Sequence, residues 1–286
     1  SRKQKNLTEV VQHTEAARRN RVALVVAPEW TQLAPPYGIA RMSALAKHGG
    51  WPTKLWDINI LTKHEAGVPE LWTAYEDWKW TEPNYSSNVH PLIEPTLRKY
   101  MDQVVAWAPT VIGFSSWYTN DTCTMWMARE FRKLIPGITI IIGGPNATQL
   151  KVSEPDVADH IVSGEGELWF VRILENLENP TEEIPHICIQ TKDQRVDLDS
   201  MPPADYSDMD IVGFCIPPKE MISWMKSKIF IYTSNTNSVI WKHIIILIIQ
   251  NFSFMTLVKI IHHTHALNII YLISPASATK FSRNFF

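Results

Sequence analysis

From residue 21 to residue 180 the chain alternates continuous apolar runs with segments whose apolar positions recur three and four residues apart. RVALVVAP (21–28) is rich in Val and lacks polar alternation, the pattern of a strand buried on both faces of a parallel sheet. YGIARMSALAKHGG (37–50) follows, with Ile39, Met42, Leu45 and Ala46 on one helical face and a Gly pair as its stop signal. The same logic predicts strands in 52–59, 110–117 and 138–144, a short fifth strand with its loop in 157–167, and helices over 97–109, 122–137 and 168–180. Alternation at these lengths calls for right-handed crossovers. The expected class is α/β, a doubly wound, five-stranded parallel sheet.

In such sheets ligands bind outside the carboxyl ends of the strands, near the point where strand order reverses. The loops expected there are APEWTQLAPPYG (27–38), SSWYTND (115–121), GGPNAT (143–148) and SGEGE (163–167). Gly143 and Gly144 would let a bulky group approach the backbone, and Ser115 and Ser116 offer hydroxyls to polar atoms. Taken singly, a glycine after a strand serves a tight turn. Three small-residue loops on one edge point to a ligand. The candidate lining residues are Tyr37, Gly38, Ser115, Ser116, Tyr118, Gly143, Gly144, Pro145, Asn146, Gly164, Glu165 and Gly166.

Composition divides the chain. Six of its 27 basic residues and none of its 29 acidic ones lie in 221–286, so the first 220 residues carry 21 basic against 29 acidic side chains, a net −8. That tail also contains fourteen Ile and no Gly. Net charge of −2 gives no basic face for a nucleic-acid backbone. The three cysteines, Cys123, Cys188 and Cys215, are far apart, so neither a disulfide framework nor a CxxC metal site is written here. The charged N-terminal stretch lacks the apolar core of a secretory signal, and a cytoplasmic location is expected. The expected division is a helical extension over 1–19, a ligand-binding domain over 20–180 with a Trp-rich insertion at 60–95, a linker or hairpin over 181–220, and the atypical tail.

The ordered set PPYGIARMSALAKHGG…LWDIN, PTVIGFSSWYTND, IPGITIIIGGPNATQL, ADHIVSGEGELWFVRILENL and VDLDSMPPADY resembles the N-terminal cobalamin-binding domain of cobalamin-dependent radical SAM enzymes, across roughly residues 20 to 210. The resemblance implies a flavodoxin-like (Rossmann-like) fold holding cobalamin over the carboxyl ends of the strands. It implies that Gly143 and Gly144 open a slot for the nucleotide tail, that Ser115 or Ser116 lines it, and that Gly164, Glu165 and Gly166 flank the corrin. Two departures stand beside it. The first loop has no His to coordinate cobalt from below, and no CxxxCxxC triplet is present to hold a [4Fe–4S] cluster that binds S-adenosylmethionine. The chain then reads as a truncated family member, a binding module inactive alone, whose partners are a corrinoid and a radical SAM domain supplied in trans.

Other readings keep a place. A Rossmann-like nucleotide or sugar-nucleotide domain would cradle a phosphate on GGPN, although its first loop lacks GxGxxG. A receiver-like signalling domain lacks its acidic cluster after the first strand. Asp57 reads as a helix cap ahead of a ribose ligand, and His48 as a helix C-terminal dipole partner. The insertion, with Trp72, Trp78 and Trp80, is either a lid or a small excursion packing its own tryptophans. In the tail, IIILIIQNFSFMTLV (244–258) falls short of the ~20 apolar residues of a spanning helix, and His262, His263 and His265 lack acidic or thiol neighbours for a metal.

Overall fold

The structure, a computed structural model, describes residues 19–30, 34–73, 76–149, 156–191, 196–197 and 200–214. These lie in the first of two units into which the chain divides, Ser1–Cys215 and Ile216–Phe286. The readings made for the helical extension over 1–18, for Cys215 and for the tail lie outside the described residues.

Six parallel strands form one sheet in the order β2-β1-β3-β4-β5-β6: β1 (Val22–Val26), β2 (Thr53–Asp57), β3 (Val111–Ser115), β4 (Thr139–Gly143), β5 (His160–Ser163) and β6 (Ile187–Ile189). The helices are α1 (Tyr37–His48), α2 (Ile58–Glu65), α3 (His90–Ala106), α4 (Asp121–Leu134) and α5 (Glu167–Glu178). The doubly wound α/β expectation holds, and its strand count is corrected from five to six. β6 lies where the sequence suggests a linker; ICI is too short to stand out as a strand, and only pairing with β5 makes it one.

The sheet is covered on both faces. Along β1, Ala23 and Val25 enter one apolar cluster and Val22, Leu24 and Val26 the other, so a run with no polar alternation fills two cores. One core packs α3 and α4 through Leu97, Met101, Val104, Met127 and Phe131. The opposite core packs α1 and α5 through Ile39, Leu45, Phe170 and Leu174. Each fully buried side chain of this size contributes about 1.5–3 kcal/mol. Gly113 in β3 lets Leu24 pack closely, because a Cβ there would stand 2.8 Å from Leu24 Cδ2 and the Leu24 side chain would have to shift.

Beyond β6 the segment 200–209 runs back along α1 and the free edge of β2. Lys47 Nζ pairs with Asp205 at 2.5 Å and Asp208 at 2.9 Å. The Leu55 N–H donates to Asp208 at 3.1 Å, which blunts an otherwise open strand edge. Among the described residues no helix is long and apolar enough to cross a membrane.

Candidate functional site

Strand order reverses between β1 and β3. The chain leaves β1 toward α1 on one face and leaves β3 toward α4 on the other, so residues 27–30 and 34–36 and the loop 116–120 border a crevice at the carboxyl edge. Buried Asn120 bridges its two sides. Its Nδ2 donates to Ala27 O at 3.3 Å and Ser115 O at 3.1 Å, while its Oδ1 accepts the Trp117 N–H at 2.7 Å. Thr119 Oγ1 donates to Glu29 O at 2.8 Å, and Trp30 meets Trp117 edge-on with ring centroids 6.2 Å apart. Asn59 of α2 accepts the Trp30 N–H at 3.1 Å and the Trp72 Nε1–H at 2.8 Å, which ties the first loop to the insertion.

The loops after β3 and β4 meet directly. The Ser116 N–H donates to Gly143 O at 2.7 Å and the Asn146 N–H to Ser116 O at 3.3 Å. Ser116 Oγ and Asn146 Nδ2 both donate to the Asp121 carboxylate at the start of α4. Gly144, at φ +104°, has no room for a side chain: a Cβ would lie 2.5 Å from Ser116 O and 2.7 Å from Ser116 N. The expectation that Gly144 opens a slot beside Ser115 and Ser116 is corrected here, since the missing side chain admits the Ser116 backbone itself. Gly143 differs, because a Cβ there meets only ordinary contacts, 3.8 Å from Val162 O. Pro145 is exposed at the tip of this loop. Thr148 Oγ1 lies 2.7 Å from Ser163 Oγ and carries the linkage on to β5.

The remaining sequence-predicted residues fall into two further groups. Gly164, Glu165 and Gly166 sit beside Gln190, just past β6. Its Oε1 accepts the Glu165 N–H at 2.8 Å and its Nε2 donates to the Glu165 carboxylate at 2.8 Å. Tyr37, about half exposed, accepts from Arg41 Nη2, and Gly38 faces open space. Tyr118 is exposed on the crevice side, and its hydroxyl donates to Asp77 of the insertion.

Electrostatics single out Glu29 and Asp121, which the sequence reading did not choose, beside Tyr118 and Asp57, which it did. Burial, reinforced by the Asp77 charge, pushes the Glu29 carboxyl up to about 8. Burial carries Asp121 to about 6 against the opposing Ser116 hydrogen bond. Tyr118 is raised to about 12 by burial and by its bond to Asp77. Asp57 caps α2, accepting the Ile60 N–H at 3.1 Å, while its buried Oδ2 has no hydrogen-bond partner among the described residues. Asn120 and Asp121 carried a legible signal as an Asn-Asp pair opening a helix. Glu29, Asn59, Asp77 and Gln190 carried none, because only the fold brings them to this edge.

These features define a parallel α/β domain of flavodoxin-like (Rossmann-like) architecture whose strand-end loops are joined into one polar edge with exposed aromatic rings. Comparison with protein-family models and with curated proteins finds no match for the chain.

Proposed function

We propose that the domain over residues 20–180 binds a corrinoid at the carboxyl edge of its sheet. One observation carries the reading: the loops after β1, β3 and β4 form a continuous hydrogen-bonded rim that reaches the end of β5 at Ser163, with Tyr37, Trp117 and Tyr118 exposed around it. A corrin ring offers a wide apolar face fringed with amides, which suits aromatic surface beside backbone and side-chain polar groups. The loop after β1 contributes no His, so in this reading that loop leaves cobalt without a protein imidazole. The nucleotide tail enters beside Gly143, toward Val162, because the Gly144 side is closed by Ser116. The chain acts as the binding module, and the cluster and S-adenosylmethionine chemistry of the resembled enzymes belongs to a partner polypeptide.

The test is direct. Full-chain protein mixed with hydroxocobalamin and passed through gel filtration should carry the visible corrinoid band with it, near one equivalent per chain. A folded chain that elutes colourless overturns the proposal. The Asp57 oxygen at the end of β2, without a hydrogen-bond partner among the described residues, favours a second reading, in which a ribose hydroxyl donates to it. Under that reading the chain retains a nucleotide in place of the corrinoid, and Asp57→Asn weakens the retention.

A further inference from the structure

The insertion meets both borders of the crevice, and its two attachments differ in kind. On the β1 side, buried Asn59 accepts the Trp30 N–H at 3.1 Å and the Trp72 Nε1–H at 2.8 Å, and its Nδ2 donates to Trp30 O at 3.1 Å. Behind Asn59, Trp72 and Trp80 are buried edge-on against each other, and the Trp80 Nε1–H donates to Leu71 O at 3.0 Å. That end is a fixed footing. On the β3 side, the Tyr118 hydroxyl reaches across from the loop 116–120 and donates to Asp77 in a solvent-exposed position.

Between these attachments the turn at 76–79 bonds to the insertion's own residues. Lys79 Nζ holds Glu76 at 2.5 Å and Glu70 O at 3.2 Å. Thr81 Oγ1 donates to Trp78 O at 3.1 Å, and Asn84 Nδ2 donates to Lys79 O at 2.8 Å. Among the described residues, the Tyr118–Asp77 bond alone links the side chains of this turn to residues outside the insertion. The turn therefore holds its own shape and can move as a unit. It also carries Trp78, whose ring is 60% exposed.

We infer that the turn 76–79 is a flap at the mouth of the crevice, footed on Asn59 and the two buried tryptophans and latched to the far border by Tyr118 and Asp77, and that release of the latch admits the ligand. The admission of ligand rests on the corrinoid reading, whereas the latch itself does not. Opening the flap breaks one exposed hydrogen bond and unburies neither Trp72 nor Trp80, so it costs far less than unfolding the domain. Flaps of this kind open on microsecond to millisecond timescales and set the rates at which ligands enter and leave. The Tyr118 hydroxyl, raised to about 12 by burial and by its bond to Asp77, stays a donor at any working pH.

The experiment uses the full chain and cuts the latch from either end, with Tyr118→Phe and Asp77→Ala. Hydrogen exchange of the free protein should quicken about threefold to tenfold over residues 76–80 in each variant, with α3 unchanged. The double variant should exchange no faster than either single one, because both remove the same bond. Asp77→Asn, which keeps an acceptor for Tyr118, should restore exchange close to that of the parent. Stopped-flow mixing with hydroxocobalamin should then show entry and release both accelerated by similar factors, so that Kd moves less than either rate. Unchanged exchange in the folded single variants overturns the latch, and so do additive effects in the double variant. Faster exchange with unmoved hydroxocobalamin rates overturns the gating role. A parent chain that never takes up hydroxocobalamin overturns the corrinoid reading and the gating role with it, while exchange still decides the latch.

Discussion

Asp57 shows how one side chain can serve the backbone and still strain the balance of charge. Its Oδ1 caps α2, yet burial, opposed by the Ile60 N–H and reinforced by the Asp210 charge, lifts the carboxyl to about 7. A carboxyl raised in the fold favours the folded state while protonated, so its contribution is complete below pH 4 and is lost as pH rises through 7. Asp57→Asn keeps the capping oxygen and cannot ionise. Denaturant titrations should show the variant gaining stability relative to the parent between pH 5 and pH 8, with the two converging at acid pH. Gly144 makes the complementary case, in which geometry alone decides. Gly144→Ala drives a methyl into the Ser116 backbone at a positive φ, and equilibrium unfolding should report a loss of about 2 kcal/mol or more. The GG pair was legible as a place needing small residues; which glycine serves the protein's own backbone was not, because φ and the position of Ser116 are set by the neighbouring strand.

At the scale of elements, the insertion separates into an inner and an outer part. Trp72 and Trp80 are buried with ring centroids 5.0 Å apart, and the Trp80 Nε1–H donates to Leu71 O at 3.0 Å. For these two rings the excursion packing its own tryptophans is what the structure contains. Trp78 is 60% exposed. Thermal unfolding should therefore separate Trp80→Ala, which costs about 3–5 kcal/mol, from Trp78→Ala, which costs less than about 0.5 kcal/mol. Because Trp78→Ala leaves the fold intact, its effect on corrinoid retention tests the lid idea without interference. The sequence reading began α3 at residue 97. The helix starts at His90, with Pro91 in the first turn, where its missing N–H costs nothing, and Pro95 accommodated inside. α2 was hidden for another reason: eight residues are too few to display a period, and its start depends on the Asp57 cap.

For the molecule as a whole, the closing segment 200–209 matters more than its length suggests. Lys47 gathers Asp205, Ser207 and Asp208 onto α1. Against the upward push of burial, the Lys47 and Ser207 hydrogen bonds hold the Asp205 carboxyl well below the ordinary range. That depressed carboxyl stabilises the fold at neutral pH and loses its contribution on acidification. Lys47→Met should cost about 1 kcal/mol at neutral pH, part of it screened by solvent, and should speed amide exchange over residues 200–209. The sequence by itself determined the class, the strand–helix alternation and the edge on which small residues gather, because burial on two faces writes long apolar runs and crossover helices write a 3.6-residue period. Tertiary structure alone decided that three residues of ICI become a sixth strand, that Ser116 fills the space beside Gly144, and that Thr119 and Asn120 tie the loop after β3 to Glu29 and Ala27. Those outcomes depend on residues far apart in sequence coming within a few ångströms, and no local pattern of polarity records such a meeting.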